Sequence, residues 1–205
     1  MNLYNKYILP KVIDCVCKQK PTRYQRKKVV PLAAGRVLEI GIGSGLNLPY
    51  YDTTKVQHLT AIDPSEEIWN ENIIDTYQLD FDFQFIKAFA ENIPEDNNTF
   101  DSAIITYSLC SIPETQKALE ELRRVLKPSG RLIFCEHGKA PDKAIKRLQN
   151  MVNPLWKRLG GGCNLNRDIP NILQDNGFKI ANLETMYIPG WKPASFNYWG
   201  TANSI

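Results

Sequence analysis

The sequence has no apolar run approaching the roughly 18 residues that a membrane-spanning helix requires. Its N-terminus, M-N-L-Y-N-K-Y-I-L-P, lacks the apolar core and small-residue cleavage site of a secretory leader. Charge is nearly balanced: 25 Lys and Arg against 22 Asp and Glu leave a net +3. That is too small an excess to argue for a nucleic-acid partner, and none is expected. The five cysteines are odd in number and irregularly spaced. Cys15 and Cys17, two apart, suit neither a disulfide nor a C-x-x-C metal site, so no metal is expected. Reduced thiols in a cytoplasm are the simplest reading. There is no internal repeat and no low-complexity linker. What remains is 205 residues, 43% hydrophobic and 23% charged, enough for one domain with a sizeable core.

Residues Val37–Gly45, V-L-E-I-G-I-G-S-G, carry the strongest signal. Val37, Leu38 and Ile40 form a short apolar run of strand type that ends in Gly41, Gly43 and Gly45. Glycines at such a junction permit a tight turn and let a ligand approach main-chain N–H groups. Leu59–Ile62 reads as the next strand, with Asp63 at its tip, placed to bind the hydroxyls of a ribose. Together these features point to a nucleoside-containing cofactor. A dinucleotide fingerprint, G-x-G-x-x-G, would need its third glycine at position 46, which is Leu46. Taken alone, the glycines also fit an ordinary turn of an α/β protein.

Downstream, strand and helix alternate. Strands are expected at 36–41, 57–63, 82–87, 101–107, 130–136, about 178–188 and 194–203. Helices are expected at 46–52, 65–77, 114–127, 143–158 and 168–176. Ala118, Leu119, Leu122, Val125 and Leu126 share one helical stripe, and Lys127-Pro128-Ser129-Gly130 stops it. Such alternation implies a mostly parallel sheet with helices on both faces. The last two strands have only the turn Pro189–Pro193 between them, so they must be antiparallel.

The E-x-G-x-G-x-G loop resembles the first motif of class I S-adenosylmethionine-dependent methyltransferases. That resemblance implies a Rossmann-like α/β fold with a seven-stranded sheet: five parallel strands and a C-terminal antiparallel hairpin. It implies S-adenosyl-L-methionine as cofactor, with Glu39 beneath the loop, orienting N–H groups or meeting the amino group of the methionine moiety. Gly41, Ile42, Gly43, Gly45, Asp63, Pro64 and Tyr107 are the other cofactor contacts it implies. Ala90-Glu91-Asn92-Ile93-Pro94 is similar to the family's adenine-contacting stretch, which adds Ala90 and Glu91. Arg124–Leu132 resembles its structural helix-to-strand-five segment. Leu109-Cys110-Ser111, Glu136-His137-Gly138, Asn153-Pro154-Leu155-Trp156 and Gly162–Arg167 resemble the branch that holds the animal alkyl-thiol S-methyltransferases and their bacterial relatives. The resemblance spans roughly residues 33–205. The animal enzymes begin with a hydrophobic anchor. No such run is present here, which counts against membrane residence and a lipophilic acceptor.

Methyl transfer from a sulfonium is an in-line displacement, in which positioning of the nucleophile and exclusion of water supply much of the rate. A thiol of pKa near ~8.5 needs little help to ionise; an amine or hydroxyl needs a base more. His137, at the carboxyl end of a strand, is the candidate catalytic base. It can equally be a histidine that orders a loop. His58 reads as a surface residue. Cys110 and Cys163 fall in carboxyl-end loops, as substrate contacts or as packed small side chains. Asn164 and Arg167 can bind a polar group of the substrate or cap the next helix. The segment Thr106-Tyr107-Ser108-Leu109 lacks the N-P-P-Y-type motif, and neither cysteine follows a proline, so methylation of nucleic-acid bases is disfavoured.

Residues 1–35 precede the methyltransferase domain of 36–205. Leu3, Tyr4, Tyr7 and Ile8 form one helical face, with Tyr7 a candidate substrate contact, and Val12, Ile13 and Val16 continue the stripe. Lys18, Lys20, Arg23, Arg26, Lys27 and Lys28 follow without an acid. A helical lid over the cofactor, a solvated basic face and peripheral docking to an anionic membrane are all open. The leading function is methylation of a small molecule, a thiol foremost. An amine, a quinone-type ring and a lipid head group are alternatives. Two further possibilities are a nicotinamide-dependent oxidoreductase and a non-catalytic cofactor-binding partner protein.

Overall fold

A computed structural model of the chain describes residues 9–65, 69 and 79–205. The helix expected at 65–77 and the Tyr7 face lie outside the described residues, apart from single positions. Seven strands form one sheet in the order β3-β2-β1-β4-β5-β7-β6. They are β1 Gly35–Ile40, β2 Val56–Asp63, β3 Asp82–Lys87, β4 Phe100–Thr106, β5 Leu126–His137, β6 Phe178–Tyr187 and β7 Phe196–Ser204. Strands β1 to β5 pair in parallel, and β7 lies antiparallel between β5 and β6. The helices are α1 Leu9–Cys17, α2 Lys20–Val29, α3 Thr115–Val125, α4 Lys143–Leu159, α5 Ile169–Asp175 and the single turn α6 Lys192–Ser195. None of them is long and apolar enough to cross a membrane.

Both faces of the central strands are buried, so adjacent residues serve opposite layers. Leu38, Ala103, Ile105, Leu132 and Phe134 pack in one core with α3 residues Leu119 and Leu122. Val37, Ile104, Ile133 and Cys135 pack in the other with Val29 of α2. Phe100 is fully buried, while Asp101 beside it accepts from the Arg36 N–H (2.9 Å) and from Lys127 (2.7 Å).

Among the described residues, two expected helices differ from the structure by more than one residue at an end. α3 ends at Val125 rather than 127, because Leu126 already pairs with Phe100 and Lys127 precedes a proline, which disfavours helical backbone. Positions 46–52 hold only a 3₁₀ turn, Leu48–Tyr50. Pro49 restricts the residue before it, and the Asn47 side chain is drawn into a buried polar network.

Candidate active site

The glycine loop leaves β1 at the carboxyl edge of the sheet, where open α/β sheets place their ligands. Gly41 and Ile42 donate their N–H groups to the Ile62 carbonyl at 2.8 and 3.3 Å. Gly43 donates to Asp63 Oδ2 at 3.0 Å, and Ser65 donates to Asp63 Oδ1 at 2.9 Å. The loop is therefore anchored to β2 through the Ile62 carbonyl and through the acid at the strand's tip. Gly43 has φ +53°, and a Cβ there would meet nothing within 4 Å. Its missing side chain opens directly into a cleft of about 410 Å³.

Eight of the ten expected cofactor residues line this cleft. Gly41, Ile42, Gly43, Asp63 and Pro64 come from the first two strands; Ala90, Glu91 and Tyr107 come from the loops after β3 and β4. Leu46 also lines it, where a dinucleotide site would keep a glycine. Tyr107 has φ +54°, a backbone region that aromatic residues seldom adopt. Its hydroxyl donates to Asn197 at 2.7 Å. Helix α1 forms one wall with Ile13, Asp14 and Cys17, and Asp14 is hydrogen-bonded to Ser44 of the glycine loop.

Gly45 and Glu39 are not on the cleft surface. Glu39 is buried beneath the loop with both oxygens engaged, by Asn47 Nδ2 (2.9 Å) and the Tyr51 hydroxyl (2.7 Å). It meets side chains rather than loop N–H groups. Arg26 completes the network and is the residue that sequence reasoning missed. It lies in the basic stretch of α2 yet is buried. It donates to Asn47 Oδ1 (2.8 Å) and Thr106 Oγ1 (2.6 Å), and its guanidinium lies 5.1 Å from the Tyr107 ring centre.

Burial pushes Glu39 up to about 7, although Tyr51, Arg26 and Asn47 favour the charged form. The folded protein thus holds this proton more tightly than the unfolded chain does. The contribution of Glu39 is most favourable below its ordinary value of 4.5 and is lost as pH rises toward about 7. Glu39→Gln removes that slope. Relative to wild type, the variant is expected to gain on the order of 2 kcal/mol between pH 5 and pH 8. Urea unfolding of both proteins at the two pH values checks this; parallel changes would contradict it.

The remaining site candidates form a second group behind the cleft wall. Leu109, Ser108 and Cys110 donate backbone N–H groups to the buried carboxylate of Glu136. Asn164 donates from its side chain to the Cys110 carbonyl at 3.0 Å, and Arg167 donates to the carbonyls of Leu109 and Ile112. Asn164 and Arg167 therefore stitch loops together. Gln149, which carries no sequence signal, ties the Gly138, Leu165 and Pro193 carbonyls at 2.9 Å each. His137 Nε2 is 3.2 Å from Cys163 Sγ, and Cys163 Sγ is 3.7 Å from Cys110 Sγ. The contact between the sulfurs, aided by His137, holds the Cys163 thiol well below its ordinary range. Burial opposes protonation of His137, but Cys163 outweighs it and the imidazole is held up. None of Cys110, His137, Cys163 and Asn164 lines the cleft, although Ser111 and Gly161, their neighbours in sequence, do. A base must reach the acceptor, and His137 is turned toward Cys163 instead.

A family profile described as a methyltransferase domain matches residues 38–134. The human thiol S-methyltransferase TMT1B is 30% identical over 178 residues, covering 83% of this chain and 72% of the relative. The chain belongs to the class I S-adenosylmethionine-dependent methyltransferases. The rat thiol S-methyltransferase TMT1B is 32% identical over 168 residues, with 79% of this chain covered; the chain spans 65% of that relative's length. The crystal structure of a SAM-dependent methyltransferase from Aquifex aeolicus superposes with a TM-score of 0.65 at 20% identity, covering 96% of this chain and 98% of that one. At that identity the likeness concerns the fold. The open space in front of Gly43 and the Asp63 carboxylate at the tip of β2 fit a cofactor of the S-adenosylmethionine kind.

Proposed function

We propose that this methyltransferase methylates the thiol of a small molecule. The observation that carries the reading is the acid–base character of the cleft. Among the described residues no histidine lines it. Asp14 is taken by Lys18 and Ser44, Asp63 by two backbone N–H groups, and Glu91 by the N–H of Glu114. Such a site has little to offer an ammonium or a hydroxyl that must lose a proton. A thiol of pKa ~8.5 supplies its own thiolate at neutral pH. The two relatives named as thiol S-methyltransferases support the same choice.

When bound, S-adenosylmethionine supplies an electrophilic methyl group on a cationic sulfonium. Asp63 would hold its ribose, Ala90 and Glu91 its adenine, and the backbone of Gly41 and Gly43 the methionine end. Helices α1 and α2 act as the lid that keeps water out. Ile13 and Cys17 wall the cleft, and Arg26 fastens α2 to the sheet beside it.

The test is transfer of labelled methyl to a small alkyl thiol, a phenol and a primary amine at equal concentration. Saturable transfer to the thiol, at least roughly tenfold faster than to either competitor, is expected. Transfer to the phenol or amine alone would overturn the reading, as would no transfer to the thiol by protein that binds the cofactor.

A further inference from the structure

The group formed by Cys110, His137 and Cys163 has no part in the function just described, and its geometry is that of a ligand set. One ligand atom from each of the three residues lies within 4.8 Å of the other two. Two thiolates at the ~2.3 Å Zn–S distance of a tetrahedral site stand about 3.8 Å apart; a thiolate and an imidazole nitrogen stand about 3.5 Å apart. The observed separations are 3.7 Å for the two sulfurs and 3.2 Å for Cys163 Sγ to His137 Nε2. Both pairs need only widen by a few tenths of an ångström, and the third, Cys110 to His137, lies within 4.8 Å and has to close toward the same ~3.5 Å.

The three residues are also held as ligands are held. Each sits on a separate element: the turn after β4, the last position of β5, and the turn after α4. Each is braced by an immediate neighbour or a nearby side chain. Glu136 gathers the N–H groups of residues 108–110, Asn164 grips the Cys110 carbonyl, and Arg167 grips two carbonyls of the same loop. Outer partners of this kind fix metal ligands in place.

We propose that Cys110, His137 and Cys163 bind a thiophilic divalent cation of the zinc class. Two sulfurs and one nitrogen suit zinc over magnesium or calcium, which take oxygen ligands. Three protein ligands leave a fourth position for water or an external donor. The sequence gives no hint of such a site, because its ligands lie 26 and 53 positions apart.

The test uses the full chain, reduced with a phosphine, and titrates zinc against a chromophoric chelator. One zinc per chain is expected. Cobalt(II) in its place is expected to show the thiolate charge-transfer and tetrahedral ligand-field bands. Cys110→Ser, Cys163→Ser and His137→Gln should each weaken zinc binding by at least about 100-fold, the upper end of what loss of an outer partner costs. Cys15→Ser, at an exposed cysteine of α1, should leave it unchanged. The cobalt spectrum of wild type needs no variant and stands even if a substitution unfolds the chain. Absence of zinc binding by folded wild type, a cobalt spectrum without thiolate bands, or binding that survives all three substitutions would each overturn the proposal.

Discussion

Arg26→Met is expected to lower the unfolding free energy by about 3 kcal/mol, the scale of removing one partner from a buried, charged hydrogen-bond network. The substitution strips Asn47 Oδ1 and Thr106 Oγ1 of a charge-assisted donor and removes the cation beside the Tyr107 ring. It also removes a nearby positive charge that favours ionised Glu39. For a domain of this size the melting temperature should fall by roughly 6–12 °C. Arg26→Lys keeps the charge but not the fork that reaches two acceptors, so it should recover only part of the loss. The network makes a second demand. At pH 8 the loss should shrink in a Glu39→Gln background, because no buried carboxylate then depends on the arginine. A loss below about 1 kcal/mol, or additive effects of the two substitutions, would show that Arg26 is not the tie between α2 and the sheet.

Gly43→Val is expected to cost more than about 100-fold in affinity for S-adenosylmethionine, or about 2.7 kcal/mol of binding, while the chain stays folded. At φ +53° a β-branched residue is strained by roughly 1–2 kcal/mol. That strain alone should leave the protein folded under ordinary conditions. Its side chain would stand where nothing lies within 4 Å, in the volume meant for the ligand. Gly41 makes a useful contrast. A Cβ there would collide with the Ser108 hydroxyl, so substitution disturbs the loop's packing rather than filling the cleft. Calorimetric titration of folded Gly43→Val protein decides the matter. An affinity within threefold of wild type would mean that the cofactor lies elsewhere.

The parts legible in the sequence were those written over short distances. The strand–glycine–strand–acid order from Val37 to Asp63 could be read because its turn chemistry is local, and the same holds for the terminal hairpin around Pro189–Pro193. What escaped depends on contacts far apart in the chain. Arg26 sits among five other basic residues, and nothing in that pattern marks it as the one that turns inward; its partner Thr106 is 80 positions away. Asn47 could be read as the opening of a helix, because its draw toward Glu39 and Arg26 appears only when three elements meet. His137 could be read as a base from its place at a strand end. Which way its ring turns was decided by Cys163, on a loop beyond α4. Sequence position thus located the neighbourhood of each polar residue, and packing assigned its partner.

The most direct test of cofactor binding in the cleft is calorimetric titration of S-adenosylmethionine into the wild-type chain, repeated with the demethylated cofactor as competitor. Saturable binding of one molecule per chain, displaced by the competitor, is expected. Absence of binding by folded protein, or tighter binding of a nicotinamide dinucleotide, would contradict it.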